Sequence, residues 1–439
     1  MKCLLSLLML LSGSGWAQDT LFTADLQMMS RGEIRNGGLK SDSDNPSTED
    51  KSAFILDRER LILGYKRSWL ETKLSVQHVG TWGREGTAGV SIFEGWGKMT
   101  ARNGLFAQIG RLALQYDDER IIGADDWVMV PMTHDALRLG YEGHGHQLHT
   151  ILAYNQNLRA LSEPGSYYKD GSRPYKTMQT VWYHYDVPKV PLGISLLFMN
   201  IGMQAGVEGG GGKTGGVAPH TEWQQLYGGY LKYEPPHLTL EGSYYRQTGH
   251  DENMVKLDTW MVAIKATYDL STEKSPLSFQ AGYDYLSGDD YVVVLYPGDM
   301  GLPYHEVNKG FNPVYGSHHK FYGAMDFFYL STYVNGFTPG LQNAYVGFTY
   351  KPINEVSLSA TYHYLATGID LEGLNKTLGH EVELEANYTI TKDIKLSAGF
   401  SYMTGTETME RLKRASDDGS LRWAWLSLKL SPRLFSVKY

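Results

Sequence analysis

The sequence predicts an all-β protein, a transmembrane antiparallel β-barrel of about 18 strands, and three observations carry that expectation. Apolar and polar residues alternate with period two along most of the chain, and helical periodicity is nearly absent. The strands so marked end repeatedly in tyrosine. Short turns alternate with longer, more polar loops, the pattern of a barrel with short periplasmic turns and long outer loops.

Residues 1–17 read as a signal peptide: basic Lys2, an apolar run from Leu4 to Leu11, then helix-breaking Gly13 and Gly15 before Ala17. The mature chain is expected to begin at Gln18 and to form a single barrel domain over residues 18–439. The one cysteine, Cys3, lies in the leader, so the mature chain has no thiol for a disulfide, a metal site or a nucleophile. Beyond the leader, no stretch approaches the roughly 18 to 20 apolar residues that a spanning helix needs. Forty Lys and Arg against 48 Asp and Glu leave a net charge of −8, which argues against nucleic acid as a partner.

The alternation is plain at Val356, Leu358, Ala360, Tyr362 and Tyr364, interleaved with Ser357, Ser359, Thr361 and His363. It recurs from Trp260 to Tyr268, from Leu277 to Tyr285 and from Ile394 to Tyr402. A soluble sandwich would show the same alternation. The tyrosines at strand ends, among them Tyr65, Tyr154, Tyr244, Tyr268, Tyr350 and Tyr388, read instead as a girdle where strands leave hydrocarbon.

Eight short connections fall at residues 66–68, 102–104, 143–145, 187–189, 235–236, 271–275, 352–354 and 391–393. With a first strand near Leu21 to Arg31 and a last near Arg422 to Leu430, they give 18 strands and place both termini in the periplasm. The stretch from His319 to Tyr333 looks strand-like alone, but counting it would reverse the polarity of the later short turns. Residues 288–339 are therefore expected to be one long outer loop with room to fold into the pore. At the C-terminus Phe435, Val437 and Tyr439 alternate in the opposite parity to Leu426, Leu428 and Leu430, so a bulge at Pro432 or a separate tail is required.

The run from Gly110 to Trp127, GRLALQYDDERIIGADDW, resembles a hallmark of the alginate-export family of outer-membrane porins. Tyr285 to Asp290, Phe311 to Gly316 and His319 to Asp326 are further matches. The resemblance implies a monomeric 18-stranded barrel in outer-membrane lipid, while the alternation of Phe435, Val437 and Tyr439 resembles the terminal-strand signal read by the barrel-assembly machinery. It also implies an arginine-rich lumen in the family's best-known member, which exports an anionic polysaccharide; the family name is broader than that activity.

Strand parity assigns Arg58, Arg60, Arg111, Arg138, Lys73 and Lys265 to the lumen, together with Glu383 and neighbouring carboxylates. Arginine suits carboxylated sugars because its planar fork binds a carboxylate through two hydrogen bonds. The alternative is that each arginine is neutralised by a lumen carboxylate and merely braces the wall. Asp117, Asp118, Glu119 and Arg120 read as a salt-bridge cluster anchoring an outer loop. The glycine run Gly209 to Gly212 lacks the spacing and context of a phosphate loop. His144, His146 and His149 straddle a turn and read as solvated rather than metal-binding.

The expected function is an outer-membrane channel, without cofactor or metal, passing hydrophilic and chiefly anionic solutes or polysaccharide by passive diffusion. A general or nutrient-uptake porin is the alternative. An outer-membrane barrel enzyme is the rival class, with His78, His184, His250 and His363 as candidates that lack a recognisable nucleophile motif.

Overall fold

A computed structural model describes residues 20–36, 51–83, 89–155, 175–205, 220–271, 276–289, 307–328, 338–371, 373–413 and 420–438. The leader through Ala17, the glycine run and part of the 288–339 loop lie outside these residues.

In chain order the strands are β1 (Leu21–Asn36), β2 (Lys51–Arg67), β3 (Leu70–Thr81), β4 (Gly89–Thr100), β5 (Leu105–Leu112), β6 (His134–Gly143) and β7 (His146–Tyr154). Then come β8 (Thr177–Asp186), β9 (Leu192–Ala205), β10 (His220–Tyr233), β11 (Leu238–His250), β12 (Lys256–Asp269), β13 (Leu277–Leu286) and the two-residue β14 (Val307–Asn308). The last are β15 (Leu341–Ile353), β16 (Val356–Ala366), β17 (Thr377–Thr391), β18 (Ile394–Gly405), β19 (Ser420–Leu430) and β20 (Arg433–Lys438). Eighteen wall strands form a closed antiparallel barrel. Each pairs with its sequence neighbour, and β1 pairs with both β2 and β19 to close the ring. Closure gives each of the eighteen wall strands a partner on both edges, as hydrocarbon demands, while β20 pairs with β1 alone.

Seven of the eight short turns lie within the described residues and join the strand pairs that the sequence assigns to them; residues 272–275 of the eighth lie outside them, between β12 and β13, which pair with each other. β13 pairs directly with β15, Leu286 opposite Leu341, so no wall strand lies between them and the count of 18 stands. β14 lies parallel to the start of β12, and His318–Lys320 forms a short 3-10 turn rather than a strand. Among the described residues no helix is long and apolar enough to cross a membrane; the crossing is made by strands. Outward rows carry exposed apolar side chains such as Leu61, Leu74, Ile109, Leu196, Phe198, Ile264, Val346 and Leu384.

The C-terminal parity conflict is resolved by a bulge. β19 pairs with Met28 to Asn36 of β1, and β20 pairs with Leu21 to Asp25, with a register shift between Ala24 and Asp25. Leu434 is the extra residue. It resets the alternation so that the segment after Pro432 continues along β1.

The interior is not an open tube. Loop 113–133, between β5 and β6, and residues 307–328 enter it and share an apolar cluster with inward wall residues, including Leu112, Leu114, Ile122, Tyr175, Met178, Phe311, Tyr315, Tyr322 and Trp425. The two segments pair where they cross. Ile122 and Tyr315 form a parallel bridge, Gly123 N donates to Tyr315 O at 2.9 Å, and Ser317 N donates to Glu119 O at 2.8 Å. The crossing is so close that a Cβ on Gly316 would lie 2.1 Å from Arg120 O and one on Gly123 2.2 Å from Ser317 Oγ, so any side chain there would push the segments apart.

Candidate functional site: the lumen

On the β1, β2 and β19 side, inward positions carry Arg31, Arg58, Arg60 and Lys429, and loop 113–133 engages them. Asp126 lies 2.9 Å from Arg58 Nη2, 3.3 Å from Arg60 Nη1 and 2.6 Å from Lys429 Nζ. Arg58 is fully buried, and Arg60 also donates to Gln77 and Gln27. Burial alone would raise the Asp126 carboxyl, but the three cations hold it below the usual carboxylate range. Next door Trp127 takes the Arg31 guanidinium over its ring at 4.0 Å and stacks on His319 at 4.3 Å. Of the predicted lumen cations, then, Arg58 and Arg60 face inward but already hold a carboxylate.

The remaining assignments divide. Arg138 faces inward and donates to Gln108 and to the Tyr116 hydroxyl. Lys73 pairs with Glu94, and Lys265 lies 3.9 Å from Glu241. Arg111 is a correction: it shares the outward row of β5 with Leu105 and Ile109 and pairs there with Asp135 at 2.8 Å. The parity reading inverted because Leu112 and Leu114, which look lipid-facing, pack into the apolar interior instead. His149 is a second correction. It is buried, bonded to the Tyr116 hydroxyl at 3.0 Å and to Glu142 at 3.2 Å, rather than solvated.

Asp117 to Arg120 do not form a self-contained cluster at an outer loop. Arg120, buried, lies 3.1 Å from Asp118 and 3.2 Å from wall residue Asp284, donates to the Tyr322 hydroxyl at 2.9 Å, and stacks over Phe321 at 3.9 Å. It rivets both inner segments to the wall. Burial opposes its charge, but Asp284, Tyr322 and Asp118 outweigh that and raise its pKa. Glu119 pairs with Lys320 and accepts from Ser317 Oγ at 2.8 Å. Asp117, whose carboxyl burial pushes up, accepts from Ser195 Oγ at 2.5 Å and from Trp182 Nε1 at 3.1 Å.

On the opposite side, from β10 to β17, the wall presents carboxylates. A cavity of about 390 Å³ is lined by Asp117, Asp118, Glu119, Glu241, Asp284 and Glu383 against Arg120, Lys265 and Lys320, with Tyr230, Tyr345, Phe321 and Tyr322 supplying rings. Glu383 accepts from Ala324 N at 2.5 Å and lies 3.2 Å from His363, holding the 307–328 segment to the wall. A second cavity of about 450 Å³ lies towards the short-turn end, lined by Asp117, Asp118, Glu241, Asp186 and Glu234 against Lys232. The two share Asp117, Asp118, Tyr230 and Glu241. Sequence reasoning missed this meeting of residues because Asp117 and Asp118 reach the cavities only through the inward course of loop 113–133.

One triad-like constellation faces the second cavity. His184 Nδ1 lies 2.8 Å from Ser195 Oγ and His184 Nε2 3.1 Å from Asp186. Ser195 is buried and gives its hydroxyl proton to Asp117, so His184 must donate to it rather than receive from it. No nucleophile is presented.

The family model for alginate export matches residues 91–370, which is more than half of the chain. The chain belongs to the alginate export family. No curated protein matches this alginate-export barrel. Among solved structures it is similar to Pseudomonas aeruginosa OpdL, at 12% identity over 94% of this chain and 99% of that one, with a TM-score of 0.59. It is also similar to P. aeruginosa OpdQ, at 14% identity over 95% and 98% with a TM-score of 0.56. A third is a variant of OccD1 (OprD), at 10% identity over 97% and 98% with a TM-score of 0.59. At such identities the likeness is one of fold, that of an outer-membrane porin-type barrel.

Proposed function

We propose that this family member is a passive outer-membrane channel narrowed by its two inner segments, and that it admits small cationic or neutral hydrophilic solutes in preference to anions. The observation that carries this reading is the excess of carboxylates over cations around the two cavities, which share Asp117, Asp118, Tyr230 and Glu241. The arginines expected to attract anions are engaged or, at Arg111, outside. In this reading the chain is a monomer delivered by its cleavable leader and the barrel-assembly machinery, and it performs no catalysis.

Asp126 favours a second reading. One carboxylate held by three cations shows that the β1, β2 and β19 face accepts a carboxylate, and a uronate competing for that place would give an acidic-sugar path. Reversal potentials across planar bilayers in a salt gradient separate the two. Cation selectivity without block by oligouronates is expected. Anion selectivity with oligouronate block would overturn the first reading in favour of the second.

A further inference from the structure

The outer surface of the wall carries charges at several places, and two of these are balanced pairs, Arg111 with Asp135 and Arg246 with Asp258. A third is not. Glu59 and His78 are cross-strand partners on β2 and β3, and Asp57 lies two residues from Glu59 on the same row. Because Arg58 and Arg60 of β2, and Ser75 and Gln77 of β3, point inward and are buried, this trio points outward, near exposed Leu61, Val90 and Ile92. His78 Nδ1 lies 2.7 Å from Glu59 and 4.0 Å from Asp57, and all three donor atoms fall within 4.8 Å of one another. Among the described residues neither carboxylate has a lysine or arginine partner. Two carboxylates and one imidazole on an outward row beside apolar side chains therefore leave negative charge without a balancing cation.

We propose that Asp57, Glu59 and His78 form a site for one divalent cation of the Zn2+ type. Two carboxylate oxygens and an imidazole nitrogen suit a borderline metal better than a hard one, because the nitrogen donor is poorly matched to calcium or magnesium. Three protein donors leave a further coordination position to the outside. Gly80 keeps that side open: opposite Asp57, its Cβ would stand 3.1 Å from His78 Cε1 and 3.2 Å from Asp57 Oδ1. The cation would cancel the residual charge and tie β2 to β3 on the outer surface. None of this depends on what the lumen passes.

The test is calorimetric titration of Zn2+ into the full chain, folded in detergent and freed of metal by chelator, with heat-modifiable gel mobility as the check on folding. One saturable site is expected, weakened by roughly tenfold or more in His78→Ala and in Glu59→Gln, because loss of a ligand costs at least as much as loss of the group that orients one. Asp57→Asn, nearly isosteric, serves if either variant fails to fold. Absence of saturable binding to the wild type, or unchanged affinity in the folded variants, would overturn the proposal.

Discussion

The two sides of the lumen use the same kind of residue to opposite ends. Around β1, β2 and β19, cations meet a carboxylate that the chain itself supplies, and Asp126 converts a basic face into an anchor for loop 113–133. Around β10 to β17, Glu241 and its neighbours meet the cavity. Those carboxylates have partners too, Glu241 near Lys265 and Asp118 at Arg120, so the contrast is one of excess: more carboxylates than cations line the cavity on the acidic side, while the cations of the basic side hold Asp126.

The sharpest way to break this contrast is Asp126→Ala. Removing the shared carboxylate leaves Arg58 and Arg60 with Gln27, Gln77 and Val128 O as acceptors, and because Asp126 is partly exposed the cost to loop docking falls below the about 3–5 kcal/mol of a fully buried pair. Single-channel conductance is expected to rise and the permeability ratio to move towards anions; unchanged values would mean that the loop is held elsewhere. A related test is acidification. Burial lowers the His318 pKa to about 4, below its ordinary 6.5, so the undocked segment binds the proton more readily. Docking of residues 307–328 is then fully stable above about pH 6.5 and loses up to about 3 kcal/mol as pH falls towards 4. Conductance recorded across that window is expected to increase on the acid side, and His318→Gln is expected to flatten the response.

The acidic side is tested by Glu241→Gln. Because Glu241 also faces Lys265 and the Tyr230 hydroxyl, its loss is worth at most about 1 kcal/mol, up to roughly a fivefold fall in cation preference, read from reversal potentials. The smallest effect is expected from Arg111→Gln, which breaks an exposed pair worth at most about 1 kcal/mol. Selectivity should not change, and a shift towards cations would return Arg111 to the conducting path.

The strands, the turns within the described residues and the count of 18 were legible because each depends on local signals, period-two alternation and turn residues within a few positions. What was illegible depends on partners remote in sequence. Arg58 and Arg60 look like a basic wall until Asp126, from another loop, is placed on them. Leu112 and Leu114 look lipid-facing because a polar lumen is the default, yet the inner segments make the interior apolar at that level, and Arg111 was misassigned with them. Arg120 could be recognised as an ion-pair former beside Asp118, but its bond to Asp284 joins residues with no sequence relation.

The seam where the first and last strands meet has a consequence for assembly. β1 is gripped in two registers that differ by one residue, one through β19 and Arg433 and the other through Phe435 to Lys438, with Leu434 between them. Sliding either strand would have to carry the offset along with it, placing the bulge against residues that pair regularly. The seam thus works as a key with a single notch: the bulge fits the ring at one alignment and would meet regular pairing at any other.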